Sequence, residues 1–233
     1  MFYNSFINFG AISMNDIVFS TSAKNLTFSL IYDQDCASPR EDNDGNISHF
    51  YVDPRNRSGC VDNLAESTNL LNELAKELKI ADYYDLSQFD LIREIQNADP
   101  EQKKILVEPL YKFEHSGIMY ATTPFSCPWD SGQVGFIFST YKDFERVGLE
   151  WDTEKAKEYL KGEVELYNNY IAGECFGFKI EEVSTCGSCT ADHSEELEAV
   201  WGYVGDRDQI IKMIASDYLD PYPSLKEKVL ESV

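Results

Sequence analysis

Positive charge is scarce in this chain of 233 residues. Twenty lysines and arginines stand against forty-one aspartates and glutamates, and the formal net charge at pH 7 is -21. A field of this sign repels DNA, RNA and anionic lipid surfaces at physiological salt. We therefore expect no direct binding of nucleic acid through overall charge, and an attraction to a partner protein with a basic surface.

Long apolar runs and the features of a secretory leader are also missing. Residues 1–14 are apolar in patches, but they lack a basic start, a continuous apolar core and a small-residue cleavage site. No stretch has the length of a membrane span. Six cysteines scattered through a chain of this size favour reduced thiols. The sequence therefore predicts a cytoplasmic protein without a membrane segment.

The motifs of the common enzyme classes are absent from the sequence. It contains no glycine-rich phosphate loop, no serine-centred nucleophile elbow, no His-Glu-x-x-His pair and no kinase signature set. These absences disfavour the enzymes that depend on such motifs, and we expect a protein that acts by binding.

What the chain does contain is enough apolar material for a core. Hydrophobic residues make up 43% and aromatic residues 13% of the sequence, which fits one large folded domain. The pattern predicts an α+β fold, with an antiparallel sheet of about five to seven strands packed against several helices. Its segments are an N-terminal hairpin (1–32), a polar loop (33–62), a helical segment (63–107), a sheet with a long helix (108–205) and C-terminal helices (206–233).

Several local signals support this division. Helix N-caps are expected at Ser87, at Asp152 or Thr153, at Asp206 and at Ser224. Alternation on both sides of Ser116-Gly117 predicts a β-hairpin with His115 at its tip.

Other signals are weaker. Asp99-Pro100 predicts the start of a further helix, and residues 184–196 are predicted to be a mobile connection between two strands.

Five segments resemble a known group of proteins. The stretches 111–117 (YKFEHSG) and 123–135 (TPFSCPWDSGQVG), followed by 162–165, 177–178 and 201–205, are similar to a block in small acidic proteins encoded by bacteriophages and related mobile elements. The resemblance covers roughly the C-terminal half of the chain. It implies a phage origin and a shared fold, and it carries no catalytic role to this chain.

One candidate catalytic set lies inside this block. Cys127, His115 and Asp130 supply a nucleophile, a base and an orienting group within one hairpin and its loop. Against catalysis, Cys127 precedes a proline and follows no helix N-terminus that would activate it. The alternative is that the loop is structural: Phe125, Cys127 and Trp129 would pack on the sheet, and Asp130 and Ser131 would form a turn.

A candidate metal site lies nearer the C-terminus. Cys186, Cys189 and His193 have part of the spacing of a zinc site, and Cys175 is a possible fourth ligand. A second Cys-x-x-Cys pair is missing, so an ordinary surface loop is the alternative. We expect no cofactor, with zinc as the one exception.

A candidate ligand site combines basic and aromatic side chains. Arg40, Arg55 and Arg57 form an island of positive charge that suits a phosphate or carboxylate, and Trp129 offers a stacking surface. The competing interpretation is that these arginines neutralise neighbouring aspartates.

Together these observations predict a phage accessory protein that binds and inhibits a host defence or nucleic-acid-processing factor through an acidic surface, a form of DNA mimicry. One alternative is a Cys/His-dependent hydrolase or transferase, and another is a protein that binds a small molecule or nucleotide signal. The sequence leaves the oligomeric state open.

Overall fold

A computed structural model describes residues 16–41, 45–53, 64–188 and 191–233. Contacts divide the chain into two compact units. The terminal unit comprises Met1–Ala37 and Gly173–Val233, and the central unit comprises Ser38–Ala172. That the whole chain is one domain stays a prediction.

The described residues form eight strands and six α-helices, with a short 3-10 helix at Tyr83–Asp85. In chain order the elements are β1 (Ile17–Ala23), β2 (Leu26–Tyr32), β3 (His49–Val52), α1 (Leu64–Glu77), α2 (Gln88–Ala98), β4 (Ile105–Glu114), β5 (Ile118–Ala121), β6 (Ser131–Thr140), α3 (Tyr141–Arg146), α4 (Thr153–Ile171), β7 (Cys175–Thr185), β8 (Asp192–Val204), α5 (Arg207–Tyr218) and α6 (Pro223–Leu230).

The strands form two antiparallel sheets, and the α+β class predicted from the sequence is confirmed. The terminal sheet has the order β1-β2-β7-β8, and the central sheet has the order β3-β6-β4-β5. Where the sequence suggested one sheet of five to seven strands, the described chain has two sheets of four. Hydrophobic alternation identifies strands but does not say which of them share a sheet.

In the terminal unit, one face of the sheet packs against α5 and α6. Phe28 and Leu30 are two residues apart on β2, and Leu30 lies opposite Phe178 of β7, so the three side chains point to the same face. They join a core with Ile210 and Ile214 of α5. Amphipathic patterning in both the strands and the helices therefore determines this core.

In the central unit, both faces of the sheet are buried. Phe50 of β3 packs in a cluster with Leu160 of α4, whereas the adjacent Tyr51 packs in a cluster with Leu74 of α1 and Ile95 of α2. Strands buried on two faces have nearly continuous apolar sequences instead of alternating ones. The burial pattern of β6 has this character.

A β-bulge interrupts β6 where it passes between β3 and β4. The register with β4 shifts between Leu110 and Tyr111, so the side chain of Val134 reaches the same cluster as that of Ile137. Beside it, the backbone of β3 approaches so closely that a side chain on Gly135 would overlap the Tyr51 carbonyl. The bulge and the glycine together let β3 join the sheet.

The predicted caps at Ser87, Asp152 and Asp206 are confirmed, whereas the predicted cap at Ser224 is wrong, because α6 begins at Pro223 and Tyr222 stands at its N-cap without a side-chain cap. The side chain of Ser87 accepts from the backbone N–H of Asp90, that of Asp152 from Glu154 and Lys155, and that of Asp206 from Gln209. The predicted hairpin with His115 at the tip is also present, as β4 paired with β5.

Three predicted boundaries are wrong. The polar loop 33–62 contains β3 (His49–Val52), a strand too short for its pattern to stand out. Asp99 ends α2 instead of starting a helix, because its carboxylate accepts from the N–H groups of Lys103 and Lys104. The expected connection 184–196 belongs largely to β7 and β8, which leave only 186–191 between them.

Candidate functional site

The predicted catalytic residues meet at the tip of the β4–β5 hairpin. The thiol of Cys127 donates to Oδ2 of Asp130 at 3.3 Å, and Nδ1 of His115 lies 3.6 Å from the same oxygen. The backbone holds this arrangement, because the N–H of Glu114 donates to the Asp130 carbonyl at 2.8 Å. Asp130 therefore stands between the other two residues.

This order differs from that of a cysteine hydrolase. A Cys/His pair requires the imidazole within hydrogen-bond reach of the sulfur, with the carboxylate behind the imidazole. Here the Cys127 thiol donates a hydrogen bond to the Asp130 carboxylate, while the His115 side chain is 69% exposed. Among the described residues, no hydrogen bond joins Cys127 to His115. The arrangement supports a turn in which the thiol acts as a hydrogen-bond donor.

The loop after β5 exposes a large aromatic side chain. Trp129 has 92% of its surface exposed, so the interpretation in which it packs on the sheet is wrong. Phe125 does pack there, on Phe113, with ring centroids 5.6 Å apart. The Ser131 hydroxyl donates to the carbonyl of Cys127 at 2.5 Å and closes the turn. The loop thus has an anchored base and an exposed indole.

The predicted phosphate ligand Arg40 is already occupied by partners within the central unit. Its Nη1 lies 2.6 Å from a carboxylate oxygen of Glu163 on α4, and its Nη2 donates to the Ser48 carbonyl at 2.8 Å. Its guanidinium carbon lies 4.3 Å from the centroid of the Phe50 ring. Arg40 therefore has a structural role. Arg55 and Arg57 lie outside the described residues.

Cys175 lies apart from the other predicted metal ligands that the structure describes. Cys175 begins β7 and Cys186 follows its end, so eleven extended residues separate them by more than about 30 Å. His193 and Cys186 lie at the far end of the β7–β8 hairpin, and Cys189 lies outside the described residues. Within the described ranges, no three His, Cys, Asp or Glu side chains are grouped to hold a metal ion.

A site that the sequence did not predict lies on the same hairpin. We define the acidic arm as residues 181–188 and 191–198, the distal part of β7 and β8. It contains no lysine or arginine, and the part of it on β8, from Asp192 to Glu198, is exposed. Its six carboxylates belong to Glu181, Glu182, Asp192, Glu195, Glu196 and Glu198.

The register of the acidic arm places glutamates directly opposite one another. Glu181 pairs with Glu196, and Glu182 pairs with Glu195. Directly opposed residues project to the same face of a sheet, and like charges at this spacing destabilise it. Successive pairs alternate faces, so each face of the arm carries one Glu–Glu pair.

Only part of this repulsion is relieved within the terminal unit. Lys179 contacts Glu196 at 2.7 Å, and the Asn25 amide donates to Glu182 at 2.5 Å. Among the described residues, neither Glu181 nor Glu195 forms an ion pair. The sequence predicted a connection here instead of two paired strands, and without the strand register it does not show which glutamates lie opposite each other.

A second unpredicted carboxylate network caps α3. Asp143 is buried, accepts from the Thr140 N–H at 2.8 Å, and lies 2.9 Å from Nε2 of His49. Burial alone would raise the pKa of Asp143, but the hydrogen bonds from His49 and Thr140 and the charge on His49 outweigh it and lower that pKa. The network joins β3 to the end of β6.

Comparison with known proteins adds no relative: no family model, curated protein or solved structure matches this chain. The resemblance to phage-encoded proteins therefore stays a prediction. In the part of the chain that the structure describes, no helix is both long enough and apolar enough to cross a bilayer.

Proposed function

We propose that this protein is an accessory protein of phage origin that inhibits a host factor by docking its acidic arm on a basic surface. The observation that supports this proposal is that β7 and β8 place two Glu–Glu pairs directly opposite each other, at successive positions of the ladder. Concentrated negative charge on a two-stranded arm matches the basic groove of a nucleic-acid-processing enzyme, where carboxylates can take the place of phosphates.

Solubility alone is a weaker explanation of the arm. Strand β8 is an edge of the terminal sheet, and charged residues on an edge strand discourage aggregation. Lysine serves that purpose at least as well, and it would pair favourably with the glutamates of β7. Glutamate opposite glutamate costs stability in the free protein, and that cost is recovered when a basic partner binds.

The charge of the arm also determines the expected kinetics. A field of one sign raises the rate of encounter with an oppositely charged protein and falls off with added salt. Inhibition would be competitive with nucleic acid, because both ligands neutralise the same lysines and arginines of the partner. We place this interaction in the bacterial cytoplasm.

Two alternatives have less support. A Cys/His hydrolase requires His115 next to Cys127, whereas Asp130 lies between them. A nucleotide-binding site at Arg40 requires a free guanidinium, whereas Arg40 is bound to Glu163 and Ser48.

The test is affinity capture from bacterial lysate with matched charge variants. One bait is the wild type, the second carries Glu195→Gln, Glu196→Gln and Glu198→Gln on the acidic arm, and the control carries Glu94→Gln, Glu158→Gln and Glu165→Gln. Both triple variants remove three exposed carboxylates, so overall charge is matched. Capture is compared at about 0.1 M and about 1 M salt, between which the Debye length falls from about 10 Å to about 3 Å.

The proposal predicts a nucleic-acid-binding protein that the wild type and the control retain at low salt, that high salt releases, and that the arm variant loses. Added duplex DNA should compete for it. Equal retention by the arm variant, or retention that salt does not affect, would refute binding through the arm.

A further inference from the structure

Two cysteines that are far apart in sequence lie next to each other in the terminal unit. The last pair of the β2–β7 ladder is Tyr32 with Phe176, and the N–H of Asp33 continues it by donating to the carbonyl of Cys175 at 2.8 Å. Directly opposed residues in an antiparallel ladder have Cα atoms about 5 Å apart. The chain that follows Asp33 therefore starts beside Cys175.

A turn brings Cys36 back to this position. Residues 34 and 35 form the turn, and the Asp33 carboxylate accepts from the Asp35 N–H at 3.1 Å and from the Gly202 N–H of β8 at 3.0 Å. The Cys36 thiol donates to the Ala37 carbonyl at 3.5 Å, and it lies close enough to the Cys175 thiol for each to influence the pKa of the other. Contacts of Asp33 with the backbone of β7 and β8 thus hold the turn that carries Cys36 beside Cys175.

The environment keeps both thiols protonated. Burial, followed by the neighbouring Cys175, raises the pKa of Cys36 to about 12. Burial also raises the pKa of Cys175, and the carboxylates of Asp33 and Glu174 add to this rise. Since the thiolate is the reactive form, the resting pair reacts slowly. Cys175 is 5% exposed and Cys36 is half-buried, so reagents reach Cys36 first.

We propose that Cys36 and Cys175 are a site of reversible oxidation and form a disulfide that fixes residues 33–36 to the start of β7. Disulfides need Cα atoms about 4.4–6.8 Å apart. Asp33 lies opposite Cys175, and a β-turn keeps its first and fourth Cα atoms within about 7 Å, so the turn keeps Cys36 near Cys175. Rotation of the two cysteine side chains then brings the sulfur atoms to bonding distance.

A low-molecular-weight disulfide is the oxidant. The Cys36 thiolate attacks one of its sulfur atoms, forms a mixed disulfide and expels one thiolate. Cys175, after losing its proton, attacks the sulfur of Cys36 and expels the second thiolate. The two protons lost by the cysteines protonate the two leaving groups, so the dithiol is oxidised and the small disulfide is reduced to two thiols.

The bond would stabilise the folded chain. It joins positions about 140 residues apart, and closing so long a loop removes much of the entropy of the unfolded state. We expect Tm to rise by about 5 °C or more on oxidation and to return to its starting value with dithiothreitol.

The experiment uses the full chain and oxidised glutathione. Reduced protein is incubated with the reagent, and its free thiols are then alkylated, after which intact mass and tryptic peptides are measured with and without reductant. The variants are Cys36→Ser and Cys175→Ser. The matched control is Cys127→Ser, which removes a thiol that is hydrogen-bonded to Asp130 in the central unit.

Wild type and Cys127→Ser should lose two free thiols, yield a reductant-sensitive peptide that joins Cys36 to Cys175, and gain thermal stability. Cys36→Ser should yield neither the peptide nor the Tm rise. A glutathione adduct that persists on Cys36, or oxidation that joins other cysteines instead, would overturn the proposal. Because Cys36→Ser removes a half-buried thiol, the result does not depend on the buried Cys175→Ser variant folding.

Discussion

The guanidinium of Arg40 lies 2.6 Å from the carboxylate of Glu163, and their side chains are 3% and 12% exposed. The same carboxylate accepts from the N–H groups of Ile47 and Ser48 at 2.8 and 3.3 Å, and also from the Ser48 hydroxyl. Glu163 of α4 therefore holds the segment that leads into β3. The positive charge of Arg40 neutralises the buried carboxylate of Glu163.

Removing Glu163 should leave the Arg40 charge buried and unpaired. We expect Glu163→Ala to lower the free energy of unfolding by about 3 kcal/mol or more, as for other broken buried pairs. Urea unfolding followed by circular dichroism measures the loss. Glu165→Ala, an exposed residue on the same helix, is the control and should change stability by less than about 0.5 kcal/mol. Similar losses in the two variants would contradict the buried pair.

The lowered pKa of Asp143 predicts acid sensitivity. A carboxylate with a lower pKa in the folded state contributes stability above its unfolded pKa, near 4, and loses it as pH falls through the folded value. Asp143→Asn should therefore cost about 1–3 kcal/mol at pH 7, and the difference from wild type should shrink below about pH 4.

Denaturant unfolding at several pH values between about 7 and about 2.5 tests this difference. Asp220→Asn, which removes a carboxylate from the surface of the terminal unit, should follow the wild-type curve. If the difference in the free energy of unfolding between wild type and Asp143→Asn stays constant down to the lowest pH, the charge on Asp143 does not contribute to stability.

Two glycines on β6 should respond differently to the same substitution. In Gly135→Ala the new methyl group overlaps the carbonyl of Tyr51 and lies 2.8 Å from its carbonyl carbon. Because backbone cannot move aside as a side chain can, we expect a loss of at least about 3 kcal/mol. Gly132→Ala meets nothing within 4 Å and should melt close to the wild-type temperature. Equal melting temperatures for the two variants would show that the Tyr51 carbonyl of β3 does not lie against Gly135.

Tryptophan fluorescence tests the exposed loop. Trp129 is 92% exposed, whereas the indole of Trp151 donates to the Gln102 carbonyl at 2.8 Å and that of Trp201 packs on Gly177. Acrylamide, which is uncharged and unaffected by the acidic field, should quench the emission of Trp129 most strongly. Trp129→Phe should remove the most accessible fraction and shift emission to the blue, with stability unchanged within about 0.5 kcal/mol. If Trp151→Phe removed that fraction instead, the loop would be folded inward.

Much of the local structure could be predicted from the sequence, because its causes lie within a few residues. The cap at Ser87 depends on a hydroxyl three residues from the N–H it binds, and the hairpin at His115 depends on alternation around a glycine. The errors occurred where local signals were weak. Strand β3 has four residues, and the acidic arm has a composition typical of loops.

The candidate sites were predicted less well, because they depend on distant contacts. Cys127, His115 and Asp130 were correctly grouped, since a single hairpin and its loop contain them. Cys175 was grouped with Cys186, which is near it in sequence, yet β7 separates the two and Cys36 is its neighbour. No spacing rule indicates that Asp33 extends β2 alongside Cys175.

The sequence by itself determined the charge, the α+β class and the positions of most helices and hairpins, because composition and short-range periodicity specify them. Tertiary structure alone decided the division of the strands into two sheets, the opposition of Glu181 to Glu196 and the pairing of Arg40 with Glu163. Those features depend on the register and docking of segments more than a hundred residues apart or on bulges within a ladder. Their free energies arise only when the whole core forms, so no local pattern encodes them.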